Sequence, residues 1–153
     1  MEYVQGGELF YHLNQRGKFT EDEIRFYAAE IVTFLSLMHE HGIIYRDLKP
    51  ENILVAKNGH LKFTDFGLSK DGMEFEDREL TFSVCGTPEY IAPEIIKREG
   101  HGAAVDWWSL GILLFELYTG KPPIQDTTQM KVLRRIISGN IDLSATKTAS
   151  ADF

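Results

Sequence analysis

A chain of 153 residues with 43% hydrophobic and 25% charged side chains has enough apolar surface for one compact core. Its formal net charge of −7 argues against a broad nucleic-acid or anionic-membrane surface and favours a basic peptide partner. The single cysteine, Cys85, excludes an internal disulfide and a cysteine-rich metal cluster, and it fits a reducing compartment.

The first residues have neither a basic start nor an apolar core, so no secretory signal is read there and the cytoplasm or nucleus is the expected location. The most apolar window, Ile112 to Tyr118, continues a run from Trp107 that is too short to span a bilayer and contains Glu116, so no membrane span is expected. Gly6-Gly7 introduces a short amphipathic helix from Glu8 that stops at Arg16-Gly17. Thr20-Glu21-Asp22-Glu23 is a capping box, in which the Thr20 hydroxyl bonds the third amide and Glu23 reaches back. A long helix follows, with Ile24, Tyr27, Ile31, Phe34, Leu35 and Met38 at three- and four-residue spacing down to a stop at Gly42.

Ile53-Leu54-Val55 and Leu61-Lys62-Phe63-Thr64 flank Asn58-Gly59, a pair suited to positive φ, and so predict a small hairpin. Asn52 stands at its entrance and Asp65 at its exit, which brings two oxygen-bearing side chains to one end of a rigid element. Residues 68–84 are polar and irregular, as in a surface loop. A short helix is expected from Glu94 to Arg98, and Asp106 to Thr119 is apolar nearly all round, as a helix buried on every side would be. Asp126-Thr127-Thr128-Gln129 caps a last helix through Ile137, stopped by Gly139, and a small polar tail runs from Ser144. The expected class is mainly α with one small β-hairpin, without internal repeats or a domain linker.

Chemistry concentrates in Tyr45-Arg46-Asp47-Leu48-Lys49-Pro50-Glu51-Asn52, with Asp65-Phe66-Gly67 downstream. A carboxylate, a lysine and an asparagine at this spacing, with a second aspartate after them, are what phosphoryl transfer from Mg-ATP to a hydroxyl requires. Asp47 is the candidate base for the substrate hydroxyl, and Lys49 can offset charge developing on the γ-phosphate oxygens. Asn52 and Asp65 can supply oxygen ligands to Mg²⁺, which takes few protein ligands and completes its shell with phosphate and water. The packing of Phe66 decides whether Asp65 faces the site.

The two segments resemble the H-R-D-L-x-x-x-N and D-F-G patterns of eukaryotic protein kinases, with Tyr45 in place of His. Cys85-Gly86-Thr87-Pro88-Glu89-Tyr90-Ile91-Ala92-Pro93-Glu94, the Tyr of Tyr-Arg-Asp, and Asp106-Trp107-Trp108-Ser109-Leu110-Gly111 narrow the resemblance to the AGC group of serine/threonine kinases. The resemblance implies the C-terminal lobe of a protein-kinase-like α+β fold, with ATP and Mg²⁺ as cofactors. It implies that Met1, Glu2, Val4, Glu8 and Leu54 line the adenosine site, with Glu51, Asn52 and Asp65 beside the nucleotide. Glu8, Glu51, Thr87 and Glu116 are implied on the substrate side, for a protein with basic residues before its acceptor Ser or Thr. Arg46, with Lys70, is implied to meet a phosphate on Ser83, placed there by an upstream activating kinase, with Thr81 and Ser69 as competing acceptors. Asp106 is implied to brace the catalytic-loop backbone, a role compatible with capping its own helix.

Against that family pattern no Gly-rich loop and no Lys-bearing strand stand before Met1, and the chain stops after its last helix. Residues 1–153 are therefore expected to be a partial kinase domain, the hinge and most of the C-terminal lobe without the N-terminal lobe. Little activity is expected of these residues alone. Exposed apolar side chains and an unpaired Glu94 are expected as well. The alternative is a non-catalytic kinase-like module that binds a partner through its helical surface.

Overall fold

The computed structural model describes residues 4–72 and 80–150, and the adenosine-site candidates Met1 and Glu2 lie outside them. Near the N-terminus a strap precedes the first helix. Gly6 lies against β1 (Ile53–Val55) so closely that a Cβ there would collide with the Val55 carbonyl, and Val55 N–H donates to the Gly7 carbonyl at 2.8 Å. Glu8 then pairs with Leu54 as an isolated antiparallel bridge before α1 (Leu9–Arg16) begins. Gly17, at φ 79, ends α1 in a conformation that L side chains rarely adopt.

The capping box forms as read. Glu23 N–H donates to Thr20 Oγ1 at 3.4 Å and Thr20 N–H donates to Glu23 Oε2 at 2.9 Å, opening α2 (Glu21–Glu40). Its three- and four-residue apolar rhythm buries Ile24, Ile31 and Leu35 in the main core, with Tyr27 and Phe34 packed at the edge. Burying each such aliphatic side chain contributes about 1.5–3 kcal/mol.

β1 pairs antiparallel with β2 (Leu61–Phe63) in the register Ile53↔Phe63, Leu54↔Lys62 and Val55↔Leu61. The turn differs from a two-residue Asn-Gly turn: of that pair only Gly59 has positive φ, at 85°. Gly59 N–H donates to the Ala56 carbonyl and Ala56 N–H to the His60 carbonyl, so a four-residue turn ends on the left-handed glycine. The hairpin is too short to stand alone, and α2 holds it. Glu30 accepts Leu61 N–H at 2.8 Å and pairs with His60, while Phe34 stacks on Phe63 at 3.7 Å and 4°.

Of the loop read over residues 68–84, residues 73–79 lie outside the described ones; on either side of them a backbone bridge forms, Lys70 to Ile44 and Thr81 to His101. α3 (Pro93–Lys97) runs one residue earlier than read, since Pro93 pre-sets its first turn and Arg98 is left-handed at φ 57. α4 (Ala104–Thr119) starts two residues earlier than expected and buries Val105, Asp106, Ser109, Leu110, Ile112, Leu113, Glu116 and Leu117. It is not buried all round, because Trp107 remains 40% exposed. α5 (Gln129–Ser138) takes Thr128 as its cap, the hydroxyl accepting Lys131 N–H at 3.4 Å, and ends at Gly139. Ser150 N–H donates to Glu21 Oε1 at 2.9 Å, so the polar tail folds back on the start of α2. Phe26, Leu37, Phe82 and Met130 are among the exposed apolar side chains, as expected. Among the described residues no helix is long and apolar enough to cross a membrane.

Candidate active site

The stretch from Tyr45 to Asn52 is a loop fixed from below by α4. Asp106 is fully buried, and its two oxygens accept the backbone N–H groups of Tyr45 (2.9 Å) and Arg46 (2.8 Å). Asp106 does not cap its own helix, because the N-cap is Ala103 and both carboxylate oxygens are turned toward the loop. His39 Nε2 lies 2.8 Å from Asp106 Oδ2, and Trp107 meets the His39 ring edge-on at 5.3 Å. A buried carboxylate is stable only when hydrogen-bonded in this way. Arg46 has φ 66, a strained conformation for a side-chain-bearing residue, which these bonds hold in place.

Asp47, 6% exposed, is surrounded by donors. Lys49 Nζ lies 2.9 Å and Asn52 Nδ2 2.8 Å from its Oδ2, and Thr87 Oγ1 lies 3.5 Å from its Oδ1. Lys49 Nζ also donates to Thr87 Oγ1 at 3.1 Å, which ties residues 85–90 to the loop. Asn52 Nδ2 donates a second bond to the Asp47 carbonyl at 2.9 Å, leaving the amide oxygen as an acceptor facing away from Asp47. Thr64 N–H donates to the Asn52 carbonyl at 3.0 Å, which ties the end of the hairpin before Asp65 to its entrance at Asn52. Asp65 is exposed and left-handed (φ 59), and one of its oxygens accepts Gly67 N–H at 3.2 Å. An amide oxygen and a carboxylate are of the chemical type a magnesium ion takes, which needs few protein ligands. Among the described residues no group of three or more His, Cys, Asp or Glu is gathered as in a zinc or calcium cage.

Phe66 packs edge-on against Tyr45 (5.5 Å) and Phe34 (6.3 Å), so its ring anchors the backbone that carries Asp65. The Tyr45 phenol, fully buried, donates to the Thr64 carbonyl. Burial, and then the charges of Asp47, Asp65 and Asp106, push its pKa well above the ordinary phenol value.

Acidic side chains gather on the α4 side of Asp47. Tyr90 OH donates to Glu116 Oε2, and both residues are 7% exposed. Burial raises the Glu116 carboxyl, the Tyr90 bond pulls it back, and the charges of Glu51 and Glu89 raise it further. Among the described residues Glu51 Oε2 is buried without a partner. Of the other sequence candidates, Val4 and Leu54 are half-buried and Glu8, opposite Leu54, is exposed. Lys70 is exposed and held through its backbone, and Ser83 is exposed, 3.5 Å from Thr81 Oγ1. Arg46 Nε donates to the Leu68 carbonyl at 2.7 Å while its Nη1 is buried without a partner among the described residues. Sequence reasoning missed His39, which meets Asp106 across a long chain separation, so no local spacing reveals it.

Asp47 is thus fenced by lysine, asparagine and threonine, on a loop whose chemistry points to a phosphotransferase fold. The family description "Protein kinase domain" matches residues 1–152, and the chain belongs to that family, in its AGC group of serine/threonine kinases. It is 54% identical, over 92% of its length, to the cAMP-dependent protein kinase catalytic subunit of Dictyostelium discoideum, covering 21% of that protein. It is 51% identical, over 93%, to the cAMP-dependent protein kinase catalytic subunit PRKX of Homo sapiens, covering 38%. It is 52% identical, over 95%, to the ribosomal protein S6 kinase beta of Caenorhabditis elegans, covering 26%. The chain thus spans well under half the length of these relatives. The family as a whole uses ATP with Mg²⁺ and acts on proteins.

Proposed function

We propose that the complete protein phosphorylates serine or threonine hydroxyls of basic protein substrates, with Asp47 as the base. The observation that carries this reading is the Asp47 carboxylate, nearly buried yet held by Lys49, Asn52 and Thr87 at 2.8–3.5 Å. A carboxylate so oriented accepts the substrate hydroxyl proton as its oxygen attacks the γ-phosphorus. Lys49 is placed to turn from Asp47 to the transferring phosphoryl oxygens and offset their charge. Asn52 and Asp65 would hold magnesium, which when bound neutralises the phosphate oxygens. Val4, Glu8 and Leu54 would border the adenosine, the last two standing opposite each other in the strap-to-β1 bridge.

Glu51, Glu89 and Glu116 offer a basic peptide three carboxylates. One oxygen of Glu51 is unpaired and Glu116 is raised by burial, so an arriving arginine would relieve both. Ser83 would carry an activating phosphate that meets Arg46, whose Nη1 is buried and unbonded.

Phosphotransfer to a basic serine peptide, measured for this chain and for the longer protein containing it, tests the reading. Product from the longer protein is the expected result. Mg-ATP affinity without product in either form would leave a nucleotide-binding or partner-binding module. Ser83→Ala in the longer protein is expected to lower activity, and unchanged activity would remove Ser83 as the regulatory acceptor.

A further inference from the structure

The hairpin that begins after Asn52 and ends before Asp65 is gripped along its outer edge by α2. Ala56 N–H donates to the His60 carbonyl at 2.8 Å and Thr64 N–H to the Asn52 carbonyl at 3.0 Å, so residues 60, 62 and 64 turn their backbone groups toward β1. Those of Leu61 and Phe63 point the other way, as on the outer edge of a sheet. Glu30 closes that edge: one carboxylate oxygen accepts Leu61 N–H at 2.8 Å, and the other pairs with the His60 ring. One turn later on the same helix face, Phe34 lies on Phe63 with ring centroids 3.7 Å apart. Four residues of helix and two of strand advance by nearly the same distance, about 6 Å and about 6.7 Å, so α2 meets β2 in register at both points.

The two grips differ in kind. Phe34 also meets Tyr45 and Phe66, at 5.3 and 6.3 Å, so it serves a wider aromatic cluster, whereas both oxygens of Glu30 are engaged by the hairpin. Within Glu30's pair of contacts the backbone one matters more. The His60 side chain is 58% exposed, and an ion pair so open to water contributes little, while a carboxylate accepting a backbone N–H makes a charge-assisted bond. Only Thr64 separates β2 from Asp65, so any slide or twist of β2 is passed on to that side chain.

We propose that Glu30 is a positioning residue for the magnesium ligands: by fixing the outer edge of β2 it sets where Asp65 stands relative to Asn52. The inference rests on the reading of Asn52 and Asp65 as those ligands. Magnesium demands near-ideal octahedral geometry, so a hairpin left loose at this edge loses the metal before it loses the fold.

The test uses the longer protein containing this chain and two measurements that need no turnover: amide exchange at Leu61 and Thr64 in the metal-free protein, and ATP affinity at rising Mg²⁺ without peptide. Glu30→Ala is expected to speed exchange at both amides and to raise the half-saturating Mg²⁺ concentration about three- to tenfold, below the 10–100-fold typical of a residue bonded directly to a metal ligand. Glu30→Gln, which keeps an oxygen for Leu61 N–H but gives up the ion pair, is expected to stay within about twofold of wild type, and so is His60→Gln. Faster exchange in Glu30→Ala with an unmoved magnesium requirement makes Glu30 a purely structural cap and overturns the proposal. A shift in Glu30→Gln as large as that in Glu30→Ala overturns it too, because charge and not the edge bond would then be acting. If Glu30→Ala does not fold, Glu30→Asp replaces it under the same criteria, since its shorter side chain keeps the charge but withdraws from Leu61. Should Asn52→Ala and Asp65→Ala leave the magnesium requirement unmoved, the reading of those two as ligands falls, whatever Glu30 does.

Discussion

Asp47 and Arg46 are neighbours in one loop, yet their surroundings are opposite. Around Asp47 the donors and acceptors are matched: Lys49, Asn52 and Thr87 meet its carboxylate, and Asp106 fixes the backbone behind it. Around Arg46 they are not, because among the described residues its Nη1 is buried without a partner. A buried donor left unpaired costs about 1–3 kcal/mol, so the second arrangement is held at a disadvantage that an acceptor would remove. The difference separates a satisfied polar network from an unsatisfied one, side by side in one loop.

The comparison can be broken most decisively at its matched end. Asp47→Asn keeps the shape but removes the base, and in the longer protein kcat is expected to fall by about 10²–10⁴-fold, as read by single-turnover phosphotransfer. Next in size is Asp106→Ala, which strips acceptors from Tyr45 N–H, Arg46 N–H and His39. A loss of about 3–5 kcal/mol in urea unfolding is expected, the range for removing one partner of a buried charged network. A loss under about 1 kcal/mol would mean that the loop stands without α4.

Tyr90→Phe sharpens the contrast on the acidic side. The folded-state pKa of Glu116 is raised above its ordinary 4.5, so its contribution to stability is present below that value and lost as pH rises through the folded pKa. Removing the phenol that pulls the carboxyl back raises it further. Relative to wild type the variant is therefore expected to lose about 1–3 kcal/mol at neutral pH and much less in acid, compared by urea midpoints at the two conditions. The smallest effect is expected at Glu23, which Arg16 and the Thr20 cap hold down to about 2. Its depressed pKa gives stability above 4.5 that is lost as pH falls through about 2. Because this pair is exposed, Glu23→Gln is expected to cost less than about 1 kcal/mol at neutral pH and nothing in strong acid.

Local chemistry made several elements legible before any coordinates. The box at Thr20 and Glu23, the glycine stops after α1 and α5, and a hairpin placing Asn52 near Asp65 all depend on neighbours a few residues apart. Other features depend on partners far along the chain. The start of α4 was misplaced because Ala103 offers no cap and Asp106, the one candidate, is turned toward residues about sixty positions earlier. The bonds from Glu30 to the hairpin, thirty residues away, leave no periodic trace, and neither does the bridge that puts His101 opposite Thr81. The candidate catalytic residues stand out because their chemistry demands fixed types at fixed spacing, whereas His101 sits between two glycines with no pattern around it.

Tyr45 carries one more consequence. Its phenol joins the segment before Asp47 to the segment before Asp65, at a place where the family pattern has histidine. An imidazole there would change charge within the physiological pH range, but a phenol hemmed in by three aspartates keeps its hydrogen throughout. The clasp between the two halves of the centre is therefore indifferent to cellular acidity.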